Sequence, residues 1–134
     1  MSQENVELVR RGFEAFAQGG PDAMGDFWAD DIDYRAAEGA LDDRGPMHGN
    51  DAVLAYVQDW LDMFDDFKVE PVELIDVGED QVIAVVRNSG RAKLSGVETD
   101  LTYAVVYTIR DGKIARGREY WTKEQALEAA GLWE

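Results

Sequence analysis

The sequence predicts an α+β fold, with helices laid on one face of a curved sheet of mostly antiparallel strands. Apolar residues recur at helical spacing in the first half of the chain. From about residue 69 the period changes to two, and turn residues separate four successive strand-like runs. The length, 134 residues, suits one domain spanning 1–134 with one core, and leaves no room for a second.

Each element has its own signal. Val6, Val9, Phe13 and Phe16 share one helical stripe, predicting a helix over 3–18 that stops at Gly19-Gly20. Pro21 then opens a short second helix toward Phe27 and Trp28. A brief strand is expected over 32–36, after the polar break Asp30-Asp31, and a Gly/Pro-rich loop over 37–49. From Asn50, Val53, Val57, Trp60 and Phe64 repeat at four, three, four; Asp59, Asp62, Asp65 and Asp66 form the solvent face of that helix. Strands follow at 69–77, 81–92, 98–109 and 113–121, with turns at Gly78-Glu79-Asp80, Ser95-Gly96 and Asp111-Gly112. Thr122-x-x-Gln125 is a capping box for a last helix ending at Gly131.

Composition excludes several kinds of chemistry. There is no cysteine, hence no disulfide, thiolate nucleophile or thiolate metal site, and one histidine cannot build a multi-histidine metal centre. No metal or other cofactor is expected. The net charge of −15 disfavours nucleic acid and anionic membranes as partners. The excess lies in residues 1–80, with 21 acids against 5 bases; residues 81–134 hold 7 against 8. An acidic, polar start and the lack of a long apolar run predict a cytoplasmic protein.

Strand alternation sorts side chains by face. In 113–121, Ile114, Arg116, Arg118 and Tyr120 form the outer set; Ala115, Gly117, Glu119 and Trp121 form the set under the helices. The same sorting sends Val82, Ala84, Val86 and Asn88 inward from 81–92, and Leu101, Tyr103, Val105, Tyr107 and Ile109 inward from 98–109. Ile32, Tyr34 and Ala36 oppose Asp33, Arg35 and Ala37 in the first strand. An inward carboxylate, an amide and phenols among apolar walls have the makeup of a small-molecule pocket. Glu119 is the candidate acid or base, with Tyr34 and Asn88 beside it. Trp28, Ala36, Trp60, Val86, Tyr103, Val105, Tyr107, Gly117 and Trp121 are expected to line the pocket, Gly117 and Ala115 keeping space open. The bland alternative is a structural ion pair between Glu119 and an arginine.

Several short motifs fall in an order that resembles the nuclear transport factor 2-like superfamily, in its SnoaL-like branch. They are Asn5-Val-Glu-Leu-Val-Arg-Arg-Gly-Phe-Glu-Ala-Phe, Trp28-Ala-Asp-Asp, Gly49-Asn-Asp-Ala-Val, Asp111-Gly-Lys-Ile and Arg118-Glu-Tyr-Trp, then Ala126-Leu-Glu-Ala-Ala-Gly-Leu. The resemblance implies a cone-shaped α+β barrel with a deep pocket, commonly dimeric through the outer sheet face, where Arg87, Arg116 and Arg118 lie. It implies less about activity, because this fold hosts isomerases, cyclases, hydrolases and binders. Ketosteroid isomerases place a carboxylate and a tyrosine where this chain has Ala36 and Gly12. Against limonene epoxide hydrolases, Glu119 and Tyr34 match, while Asn88, Ala36 and Val86 replace an aspartate, an asparagine and an arginine. A SnoaL-type cyclase needs one pocket acid, which Glu119 supplies. The expected function is therefore a pocket for a small apolar molecule, either a cofactor-independent isomerase, cyclase or hydrolase, or a non-catalytic binder or dimeric scaffold. His48, in the loop before the long helix, is a candidate for the pocket mouth. Asp30-Asp31-x-Asp33 reads as a solvated turn rather than a cation site.

Overall fold

A computed structural model describes residues 2–40, 45–78 and 80–131. Glu79, in the turn expected at 78–80, lies outside the described residues. Among the described residues three helices, α1 (Ser2–Gly25), α2 (Asn50–Met63) and α3 (Lys123–Ala129), accompany six strands. The strands are β1 (Trp28–Arg35), β2 (Met47–His48), β3 (Phe64–Gly78), β4 (Gln81–Ala92), β5 (Glu98–Arg110) and β6 (Lys113–Tyr120). They form one sheet in the order β2-β1-β6-β5-β4-β3, antiparallel except for the β1/β6 pair. The sheet is not closed: β2 and β3 are its edges, so the barrel implied by the resemblance is an open one.

The first helical stripe is buried as its spacing predicts, with Val6, Val9, Phe13 and Phe16 all in the interior. The first helical run stops at Gly19-Gly20 as predicted. Gly20 takes the non-helical values φ 79° and ψ −166°, and a short second run goes from Pro21 to Gly25, so that α1 is two helices joined at a kink. Strand β1 begins at Trp28 rather than Ile32, and β2 is a two-residue strand inside the expected loop. At the far end of α2, Phe64 already has extended φ/ψ. Asp65 and Asp66 therefore belong to a bulged start of β3 and not to the helix face, Asp66 at φ 55°. Phe64 and Phe67 stack with Trp60 there, at 5.1 and 5.8 Å between ring centroids, and the contact of Phe67 is made from the bulged start of β3.

Both faces of the sheet are covered in part. Val82, Ala84, Val86, Val105, Tyr107 and Ile109 join Val9, Phe13, Ile32 and Val53 in the main core beneath α1 and α2. On the opposite face Ile83, Ala104 and Val106 pack with Ala126 of α3. The helices are thus not confined to one face; α3 shields part of the outer one. Ile114, expected outside, belongs to the main core. The β5/β6 register shifts between Thr108 and Ile109, and that irregularity breaks the alternation at Ile114 and Ala115, both buried. The capping box forms in a modified way. Gln125 N donates to Thr122 Oγ1 at 3.1 Å, while the Gln125 side chain accepts from Trp121 N, one residue before the cap.

Candidate functional site

The site is built around the parallel pairing of β1 with β6, which joins the first strand to the last. Tyr34 lies opposite Gly117 on one side, and Tyr107 of β5 lies opposite Gly117 on the other. The missing Gly117 side chain is the key to the arrangement. A Cβ there would overlap Cδ2 and Cε2 of Tyr34 and come 3.5 Å from Tyr107 Cδ1. Gly117 therefore does not keep a void open, as expected from the sequence. It lets the Tyr34 ring lie across β6 and reach Glu119, two residues further on the same face. Tyr34 Oη donates to Glu119 Oε2 at 2.6 Å.

These groups line a cavity of about 120 Å³ between the sheet and helices α1 and α2. On a scale where one water needs about 10–15 Å³, that is room for several waters or a small ring-containing ligand. Its walls include Phe13, Trp28, Tyr56, Trp60, Phe67 and Trp121, and its polar groups come from Tyr34, Asn88, Tyr103, Tyr107 and Glu119. Ala36, Val86 and Val105, expected on the wall, are buried behind it in or beside the main core, as is Gly117. Alternation gave their face correctly but not their depth, since larger neighbours cover them. Tyr56, Phe67, Val69 and Met24 line the cavity without having been expected there. Tyr56 lies three residues from Val53 and four from Trp60 on the apolar stripe of α2, which was signal enough to find it.

Trp121 stands at the rim, half exposed, its Nε1 donating to the Glu38 carbonyl at 3.3 Å. A wider cleft of about 670 Å³ opens beside it, sharing Ala37, Glu119 and Trp121 with the cavity and bordered by Ala36 and Arg118. Burial, then the charge of Glu119, pushes the hydroxyl pKa of both Tyr34 and Tyr103 well above that of an ordinary phenol. Tyr107 shifts the same way for the same two reasons, with a hydrogen bond to Tyr34 working against them. All three phenols are therefore neutral donors near neutral pH. Further along the same sheet face Tyr103 Oη donates to Asn88 Oδ1 at 3.4 Å.

His48 is not at the mouth. It faces outward, largely exposed, with Nδ1 2.6 Å from Asp33 Oδ1, its register partner across β1 and β2. Asp31 pairs with Arg110 at 2.6 Å, so two carboxylates of the 30–33 run serve ion pairs and no cation site. Among the described residues no cluster of three or more acids and histidines is arranged to hold a metal. None of their helices is long and apolar enough to cross a membrane.

Residues 9–117 match the model of the SnoaL-like domain family. The chain belongs to that family. An uncharacterized protein of Mycobacterium tuberculosis is 31% identical over 127 residues, covering 93% of this chain and 94% of its own. The same SnoaL-like architecture recurs in an NTF2-like protein of Burkholderia thailandensis, with TM-score 0.78, 24% identity, and coverage of 96% and 95%. It recurs again in a putative SnoaL-like polyketide cyclase of Jannaschia, with TM-score 0.76, 20% identity, and coverage of 98% and 94%. The likeness to these two structures establishes the fold, in which the described residues form three helices on an open, six-stranded mixed sheet.

Proposed function

We propose that this SnoaL-like protein binds a small, mainly apolar molecule in the cavity and moves a proton on it through Glu119. The observation that carries the reading is the 2.6 Å bond from Tyr34 to Glu119 at the wall of an aromatic cavity. A carboxylate in a largely apolar cavity, oriented by a fixed donor, is suited to take a proton from carbon or oxygen and return it elsewhere. That is the shared step of cofactor-independent isomerisation and cyclisation. Tyr34 holds the carboxylate in one orientation, and Gly117 makes that hold sterically possible.

A generic carbon acid tests this without knowledge of the natural substrate. In 5-nitrobenzisoxazole, removal of the ring C–H proton by a carboxylate breaks the N–O bond and releases a coloured cyanonitrophenolate. The protein should open it, and Glu119→Gln should lower the rate about 100-fold with an unchanged unfolding midpoint. Equal rates for the two proteins would defeat the proposal. Quenching of tryptophan fluorescence by the probe with no turnover would favour the alternative, a non-catalytic binder.

The outer face of β1 and β6 is the surface proposed for pairing with a second copy. It sets Asp33 beside Arg116 in register, a pattern that can complement itself across a two-fold axis. Arg87, by contrast, is engaged within the chain by Asp100, at 2.8 and 2.6 Å. Arg116→Glu should shift a dimer toward monomer in light scattering.

A further inference from the structure

The polar group that the proton-transfer reading leaves without work is the amide of Asn88. Apart from tyrosines it is the one polar residue among the buried described positions, 8% exposed, and it lines the cavity. Its register partners on either side are Val69 and Leu101, both apolar and both on the cavity wall. The amide oxygen is taken by Tyr103 Oη. Burial keeps Tyr103 protonated and so able to donate to the amide oxygen, which leaves the NH₂ as the amide's remaining donor. No bond from that NH₂ to a described residue accompanies the Tyr103 bond, and Asn88 lines the cavity, where the acceptor of a ligand can reach it.

We infer that Asn88 is a recognition residue, whose NH₂ donates to a carbonyl oxygen on an otherwise apolar, uncharged ligand. The inference rests on the small-molecule reading of the cavity and specifies its substrate class. A neutral ligand is favoured over a carboxylate, because Glu119 faces the same space and already disfavours any second negative charge there. A purely hydrocarbon ligand would leave the amide unpaired in the complex, and discrimination against it follows from that loss. The carbonyl thus sits at the Asn88 end, and the Glu119–Tyr34 pair lies further along the same wall. Tyr103 is a positioning residue, acting through the amide oxygen.

The test compares acetophenone with α-methylstyrene, which has the same shape with a methylene in place of the carbonyl oxygen, by titration of tryptophan fluorescence. Asn88→Asp preserves the acceptor for Tyr103 but removes the donors. Asn88→Leu removes both and keeps the volume. Each variant should bind acetophenone about tenfold more weakly than the wild type while binding α-methylstyrene at least as well. Tyr103→Phe should weaken acetophenone selectively and by less. If both ligands bind the wild type and their affinity ratio is the same in the Asn88 variants, the recognition role is wrong and the cavity reading stands. If neither ligand binds the wild type, both are overturned.

Discussion

Val82 and Ile83 are neighbours in β4, and both are completely buried, but they lie in different cores. Val82 belongs to the main core beneath α1 and α2; Ile83 packs with α3. The two sides of the sheet handle polarity in opposite ways. On the inner side polar groups are few, buried and bonded to one another, as in Tyr34 with Glu119 and Tyr103 with Asn88. On the outer side they are exposed ion pairs, Arg87 with Asp100 and His48 with Asp33. A buried pair cannot trade its partner for water, so its geometry is fixed and can position a ligand. An exposed pair is exchanged freely and contributes little to stability. The sheet thus keeps its outer face for solvent and α3, and its inner face for the cavity and the polar groups that line it.

The largest effect separates the two cores. Ile83→Ala should lower unfolding stability by about 2–5 kcal/mol, because it empties space under α3 that short side chains cannot refill. Binding of acetophenone should survive at temperatures where the protein remains folded. A loss of stability accompanied by an equal loss of ligand affinity would show that the outer core and the cavity are one unit. Next comes Gly117→Ala, which acts on the inner face. The added methyl collides with the Tyr34 ring and must displace it from Glu119. Overpacking of this kind costs about 1–3 kcal/mol. Opening of 5-nitrobenzisoxazole should fall at least tenfold along with it, and retention of full activity would remove Tyr34 from the site.

The same contrast explains what could be seen in the sequence. Faces were legible because alternation is a property of the backbone: Tyr34, Asn88, Tyr103 and Glu119 all point inward as assigned. Depth was not, because it depends on how large the neighbours are. Val86 and Val105 lie behind the cavity wall for that reason. Gly117 misled for a related one. A glycine in a strand signals either empty space or a close approach, and only the parallel pairing of β1 with β6 shows that a tyrosine occupies the position. Ile114 defeated alternation altogether, since a register shift leaves no mark in composition. The placement of α3 on the outer face was equally hidden, as its seven residues carry too little pattern to say which face they cover.

A smaller effect concerns the attachment of α3. Thr122→Ala removes the acceptor for Gln125 N and should cost about 1 kcal/mol in chemical denaturation. Thr122→Asn should restore most of it. An unchanged midpoint in Thr122→Ala would mean that the Trp121 to Gln125 bond alone fixes the start of the helix.

The smallest effect is the cleanest to measure, because His48 is the only histidine in the chain. Its pKa is raised above 6.5, first by the hydrogen bond with Asp33, then by the charge of Asp33 and, more weakly, of Asp31. The carboxyl of Asp33 moves the other way, below 3.8, through the same bond and the nearby charges of His48, Arg118 and Arg116. His48 contributes stability that is fully present below pH 6.5 and is lost as pH rises through its raised value. Asp33 contributes stability that is present above pH 3.8 and is lost as pH falls through its lowered value. The pair therefore supports the fold most between those limits, and only slightly, since both groups are open to water. Asp33→Asn should bring the imidazole back toward 6.5, read from the ring-proton shifts of His48 in an NMR titration. High salt should weaken the coulombic part of the shift in the wild type and leave the hydrogen-bonded part. If the titration curve of Asp33→Asn overlays that of the wild type, His48 and Asp33 are not a coupled pair. The contrast between a fixed inner network and a loose outer one would then rest on the remaining exposed ion pairs, among them Arg87 with Asp100 and Arg110 with Asp31.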